Sequence, residues 1–241
     1  MIEFLHTYGM LFLVGSWPNG PIGGFAGTLI LAALGLAGAF PAALLIGVAR
    51  TSGNAPLKWL SSAWVHTFRS IPLIMIVFWA YFLLPVLTGF EVPPFSTALA
   101  AIIVYESAFL AEIVRAGIQS LPAGQVEAAR AVGLGYFQTL WSVQLPQALS
   151  NMIPSLVNQF VSTIKATSIV YIIGVQEAAF SAQQINSIEL TGALRTYLVL
   201  ALFYFLLCAL LSRLARQLEL HLQNKRLGLV ATQPRRLRRE R

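Results

Sequence analysis

The sequence predicts an all-α integral membrane protein, and three observations carry that fold class. Of its 241 residues, 57% are hydrophobic and only 10% charged, with a mean hydropathy of +0.72; such a surface faces hydrocarbon rather than water. Uncharged apolar runs long enough to cross a bilayer recur along the chain. The charges gather between those runs and at the carboxyl end, where nine of the 16 Lys and Arg lie at or beyond Arg213.

The length leaves room for five or six spans. Ile22 to Ala49 carries no charge and, at about 1.5 Å per residue, makes a helix of roughly 40 Å, enough for span one. Its glycines (Gly23, Gly27, Gly35, Gly38, Gly47) admit close helix neighbours, and Pro41 can kink it. No Lys or Arg precedes Arg50, so the basic region of a cleavable signal peptide is missing and this segment is expected to stay. Span two starts near Ala63 and carries the apolar run Ile71 to Leu84 behind "RSIP", Arg69 to Pro72. "PVLTGFEVPPF", Pro85 to Phe95, is proline-rich with a single acid and reads as an outside loop. Span three, about Ser96 to Ile118, holds Glu106 near its centre and Glu112 and Arg115 nearer its end. Span four runs from about Gln147 to Ile172 and span five from about Gly192 to Arg216; the polar "GVQEAAFSAQQINSIELTG" between them reads as a loop with a short helix.

Bases cluster after span one, beside the segment joining spans three and four, and after span five, while the loops after spans two and four carry chiefly Glu. The positive-inside rule then puts the amino terminus outside and the carboxyl terminus in the cytoplasm. The expected division is an outer segment 1–21, a membrane domain 22–216 and a basic cytoplasmic tail 217–241. The tail, ending in "RRLRRER", reads as a contact with anionic headgroups rather than nucleic acid. A single cysteine, Cys208, excludes a disulfide framework or thiolate metal cluster within the chain. No internal repeat of the kind common in secondary transporters is visible.

One cytoplasmic stretch is soluble-looking. "PAGQVEAARAV", Pro122 to Val132, predicts a short Ala-rich helix with Glu127 and Arg130 at i,i+3. Gly133 suits the left-handed residue ending it, and Gly135 loosens the turn into a second helix, Tyr136 to Val143, closed by Leu145-Pro146. Such an L-shaped bracket can hand force from a soluble partner to the spans. On physics alone, an interfacial helix in the headgroups fits equally.

Glu127-Ala128-Ala129, then Gly133, Val143 and Leu145-Pro146 resembles the EAA loop of ABC-importer permeases, with Val where the pattern has Ile. The likeness extends from about Gly20 to Arg216 through "FRSIPLIMIVFWAYF" and "NQFVSTIKATSIVYIIGVQE" and looks like the polar-amino-acid group of those permeases (histidine, glutamate, glutamine, arginine, opine). This implies a type I importer fold with coupling helices at about 122–143. It also implies that Glu127, Ala128, Ala129, Gly133, Leu145 and Pro146 seat in a cytoplasmic ATPase dimer. The implied assembly adds a second permease subunit, identical or related, a periplasmic solute-binding protein and a bacterial inner-membrane location. The chain has no G-x-x-x-x-G-K-[ST] phosphate loop, so ATP and Mg are expected on the partner ATPase, with no cofactor or metal on this chain and no enzyme activity of its own.

Ionisable groups within spans are functional candidates because each is costly unless paired or wetted. Glu106 and Lys165 fall at comparable depth, and Asn158, Ser162 and Lys165 share a helix face. With Thr167 they form the expected substrate path, although Glu106 and Lys165 could instead simply pair. Arg69 and Pro72 read as scaffold or gating residues, since the family shares an arginine there across substrates. Relatives commonly carry Asp before the Thr-Ser of "KATS", where this chain has Ala166. The lost acid, with "RSIPL" and "YESAF" resembling glutamate/aspartate importers, tilts the expected substrate towards acidic amino acids; glutamine, arginine, histidine and cystine are the alternatives. An ion-coupled transporter or channel would not need the bracket. A membrane enzyme would need a catalytic constellation, but His6, His66 and His221 are scattered, and Ser162 to Lys165 matches S-x-x-K only formally, inside a span.

Overall fold

Span one forms as α2, Gly24–Thr51, and its glycines set how it packs. In this computed structural model, which describes residues 2–91, 93–189 and 192–231, a Cβ added at Gly35 would meet Ile102 Cγ2 at 2.5 Å, and one at Gly47 would meet Val114 Cβ at 2.6 Å. Both neighbours lie on α6, Pro94–Gln119, so small residues bring the two spans into close packing. The pair forms the centre of the molecule, with Ala39, Ala43, Leu110 and Ala111 buried at its middle.

Before α2 comes α1, Ile2–Val14, an element absent from the sequence reading. Phe4 and Phe12 lie in an aromatic cluster with Phe25 and Phe203, and Phe12 and Phe203 stack at 6.0 Å. After α2, α3 (Ala55–Ser70) starts at Asn54, whose side chain accepts from the Leu57 amide, and α4 (Leu73–Phe78) follows. The sequence reading has span two starting near Ala63; the chain is helical from Ala55 and bends by 98° at Ile71-Pro72. The proline pushes Ile71 out of the helical region, to φ −92° and ψ 128°.

The chain also makes two wide π turns, each followed by a Leu-Pro pair. Trp79–Leu83 precedes α5 (Leu84–Thr88), and α8 (Tyr136–Thr139) leads through Leu140–Gln144 into α9 (Leu145–Ala166). Leu84 N–H bonds Trp79 C=O, and Leu145 N–H bonds Leu140 C=O, five residues back. A proline ring in a helix clashes with the carbonyl four residues upstream, and an extra residue in the turn displaces that carbonyl. Two expectations are thereby corrected. The chain stays helical past Pro85 to Thr88, and Leu145-Pro146 does not close the bracket but continues it into span four.

α7 covers Ala123–Ala131, α9 tightens into a 3-10 turn at Thr167–Ile173, α10 covers Ala178–Ile188 and α11 covers Ala193–Ala231. Among the described residues no strand forms beyond an isolated bridge between Gly15 and Ile22. Among the described residues four helices are long and apolar enough to span a membrane, or five if the bent pair counts as one span. α11 continues past Arg216, where the sequence reading ends the membrane domain; the run Arg235–Arg241 lies outside the described residues.

Candidate functional site

The bracket is built by its termini. α7 ends with Gly133 N–H bonding Arg130 C=O (2.9 Å) and Leu134 N–H reaching Ala129 C=O (3.1 Å), the paired bonds of a Schellman close. That close needs a left-handed residue, and Gly133 has φ +86° in otherwise open space. Gly135 then starts α8, its N–H held by Gln138 Oε1 at 3.0 Å. Leu140 and Leu145 are buried against Val114, Ile118 and Met152, anchoring the bracket beneath α6.

The outward side stays uncovered. Val132 is 78% exposed and Phe137 71%, with Tyr136 and Trp141 also exposed, so this side of the bracket is open to a partner or to the headgroups. Glu127, Ala128, Gly133 and Pro146 are exposed as well, whereas Ala129 and Leu145 face inward. Glu127 and Arg130 make no ion pair among the described residues.

The expected path residues divide. Asn158, Ser162 and Lys165 are exposed on one face of α9. Ser155 and Asn151 extend that face at spacings of three and four, giving a polar stripe about 21 Å long. Glu106 is not on it. Its carboxylate is 1% exposed and accepts from Gln159 Nε2 and Thr163 Oγ1, each at 2.8 Å. Pairing of Glu106 with Lys165 is therefore corrected: Glu106 is satisfied by neutral donors on the neighbouring face of α9. Thr167 is fully buried, with its hydroxyl bonded to Ile164 C=O at 2.8 Å, so it belongs to the core rather than the path.

Pro72 sits at the 98° bend as the residue before α4. Arg69, in the last turn of α3, lies over the Phe109 ring at 5.1 Å. It lines a cavity of about 370 Å³ together with Phe109, Glu112, Asn151, Ser155 and Gln159. Beside the cavity, Glu112 takes Arg50 and Arg115 at once, and Arg50 Nε reaches Ser62 Oγ at 3.4 Å. This network ties α2, α3 and α6 together. Sequence reasoning missed it because Arg50 registers there only as a topology charge, and no spacing rule links it to Glu112. Among the described residues no group of three His, Cys, Asp or Glu could hold a metal.

A second buried carboxylate also escaped notice. Glu177 is 0% exposed and starts α10, accepting from Phe180 N–H (2.9 Å), Thr28 Oγ1 (3.3 Å) and Tyr204 OH (3.2 Å). It joins α2, α10 and α11, and burial pushes its carboxyl up to about 7.

Comparison with known proteins is consistent across sequence and structure. Residues 39–224 match the family described as "Binding-protein-dependent transport system inner membrane component". A probable glutamine ABC transporter permease of Bacillus subtilis is 36% identical over 220 residues, covering 90% of this chain and 98% of that one. An inner membrane amino-acid ABC transporter permease of Escherichia coli is 36% identical over 223 residues; the match covers 91% of this chain but only 61% of that longer protein. Further relatives are named for glutamate and L-cystine transport. A crystal structure of an amino acid ABC transporter with histidines superposes with a TM-score of 0.80 at 28% identity, covering 92% of this chain and 98% of that one.

Proposed function

The chain belongs to the binding-protein-dependent transport system inner membrane component family, and on that premise we propose that it is the permease subunit of an ATP-driven amino-acid importer of the bacterial inner membrane. The single observation carrying this reading is the bracket: a rigid, non-spanning helix pair, apolar on its free side and continuous with span four. It seats on a cytoplasmic ATPase dimer that holds ATP and Mg and performs all hydrolysis. A periplasmic binding protein delivers substrate, and a second permease subunit faces the polar stripe of α9. ATP and delivered substrate each shift the balance of two membrane conformations through differential binding. The amino terminus lies outside and the carboxyl terminus inside.

The substrate is an acidic amino acid, glutamate or aspartate. Lys165 is the cation of the exposed stripe, and Ala166 leaves no acid beside it. A neutral amide substrate is the second reading, favoured by the glutamine permease among the relatives. Reconstitution with ATPase and binding protein in liposomes tests both. ATP-dependent glutamate uptake, competed by aspartate and reduced several-fold by Lys165→Met at unchanged complex yield, is expected. Uptake confined to glutamine would replace the acidic reading, and uptake without ATPase would remove the importer reading altogether.

A further inference from the structure

α2 and α3 are joined by three residues, Ser52 to Asn54, and a groove of about 700 Å³ lies between them. Its walls include Ala42, Leu45 and Ile46 of α2 and Leu57, Leu60 and Trp64 of α3. Along α3 the lining extends from Leu57 to Phe68, about 17 Å of helix. Half of a bilayer's hydrocarbon core is roughly 15 Å deep. The α3 wall is held in place: Trp64 Nε1 donates to Ser107 Oγ at 3.0 Å, the Trp64 and Phe68 rings pack at 4.4 Å, and Ser61 turns its hydroxyl back to the Leu57 carbonyl at 2.7 Å. Leu45, Leu57 and Leu60 stay exposed all the same, so no described part of the chain covers the groove.

Polarity changes along its length. Past Ala49 a second cavity of about 560 Å³ continues it to Ser52, Gly53 and Asn54 and to Tyr136 and Phe137 of the bracket. Among the described residues neither lining holds an acid. Lys58 is exposed in the first turn of α3, next to Leu57, and makes no ion pair among the described residues. Arg50, the other cation at this end, is committed to Glu112. The result is an apolar slot with a polar, cationic mouth.

We propose that this groove is a binding site for one phospholipid with an anionic headgroup, drawn from the leaflet on the bracket side. An acyl chain fills the slot between Leu45 and Trp64, and the headgroup lies at Lys58. A lysine stem runs along apolar surface while its ammonium stays at the interface, so Lys58 can serve a headgroup at the mouth. One such cation beside an anionic lipid is worth about fivefold in affinity. Trp59 and Trp64, both exposed on α3, suit the headgroup level, where indoles collect. The site goes beyond the importer reading and needs only the chain's place in a membrane. A lipid seated there touches α2 and α3 along the slot and the bracket at Phe137.

The test is photolabelling of the assembled transporter in nanodiscs with a phosphatidylglycerol that carries a diazirine on one acyl chain, the labelled peptides being mapped by mass spectrometry. Label is expected on 42–49 and 57–68, displaced by unlabelled phosphatidylglycerol about fivefold more effectively than by phosphatidylcholine. Lys58→Gln should lower the labelling about fivefold and abolish that preference, while Lys58→Arg retains both. Lys58 is exposed, so neither change threatens the fold, and the comparison of the two lipids needs no variant. The site is overturned by equal displacement with phosphatidylcholine, by unchanged labelling in Lys58→Gln, or by glycerol phosphate competing as well as the intact lipid. It is also overturned if the groove stays unlabelled while the exposed face of α11 is labelled, the pattern expected where a second permease subunit covers it. Labelling is read without substrate or ATP, so the outcome stands whether or not the complex transports amino acids.

Discussion

The two ends of the molecule satisfy their polar and apolar groups in opposite ways. Around Glu177 the chain completes itself: a buried carboxylate receives donors from three helices, and Phe12, Phe25 and Phe203 close over the neighbouring space. At the bracket it leaves the work unfinished, with Val132, Phe137 and Trp141 turned outward. Buried polar groups are satisfied internally where no partner will come, and apolar groups stay exposed where one will. On the importer reading proposed above, the difference is that between a stability site and a docking site, and substitutions can break it from either side.

The largest effect is expected at the closed end. Glu177→Ala strands the Tyr204 hydroxyl and the Phe180 amide, each unsatisfied buried donor costing about 1–3 kcal/mol, while the Thr28 hydroxyl keeps the Gly24 carbonyl. Yield and thermal midpoint of the purified complex should collapse; an unchanged midpoint would show that the hub holds nothing. At the open end, Phe137→Ser with Val132→Ser should leave the midpoint within a few degrees while lowering ATP-driven uptake about tenfold or more, read alongside ATPase co-purification. If the midpoint falls as far as it does for Glu177→Ala, the bracket is structural and the contrast fails.

Gly133→Val sharpens the distinction within the bracket. Space is open around the position, so its whole cost is the left-handed backbone, about 1–2 kcal/mol. Uptake should drop several-fold with membrane insertion intact, and wild-type uptake would count against the fixed angle between α7 and α8. The smallest effect is on pH. The Glu177 carboxyl titrates at about 4.3 when unfolded and about 7 in the fold, so the fold favours its protonated form. That stabilisation is full below about pH 4.3 and is lost as pH rises through 7. The wild-type midpoint should therefore fall across this window relative to Glu177→Gln, and parallel curves would refute the burial.

Much of this was legible because lipid imposes long uncharged runs. Ile22 to Ala49 and Ser96 to Ile118 announced α2 and α6, and two glycines at the right spacing announced the bracket. α1 was not legible, because thirteen residues are too short to span and apolar on nearly every side. The π turns were missed because proline reads as a stop, while the structure spends an extra residue to continue. Neither the path placement of Glu106 nor its alternative pairing with Lys165 could be decided from depth along two helices, which says nothing about rotation: Lys165 and Gln159 lie on adjacent faces of α9, and only packing decides which meets α6. Arg50 and Glu112 are 62 residues apart, beyond any local pattern.

The unbroken run from Tyr136 to Ile173 has a mechanical consequence. Thirty-eight residues of largely α-helical rise make a shaft of about 55 Å, with the docking surface at one end and Lys165 near the other. The π turn at Leu140–Gln144 and Pro154 lie within it, and moved as one body a tilt of about 10° at the bracket end would carry the far end sideways by nearly 10 Å. With the left-handed Gly133 just before it and the Ile71-Pro72 bend beside it, a helix that moved in this way would act as a lever rather than a linkage.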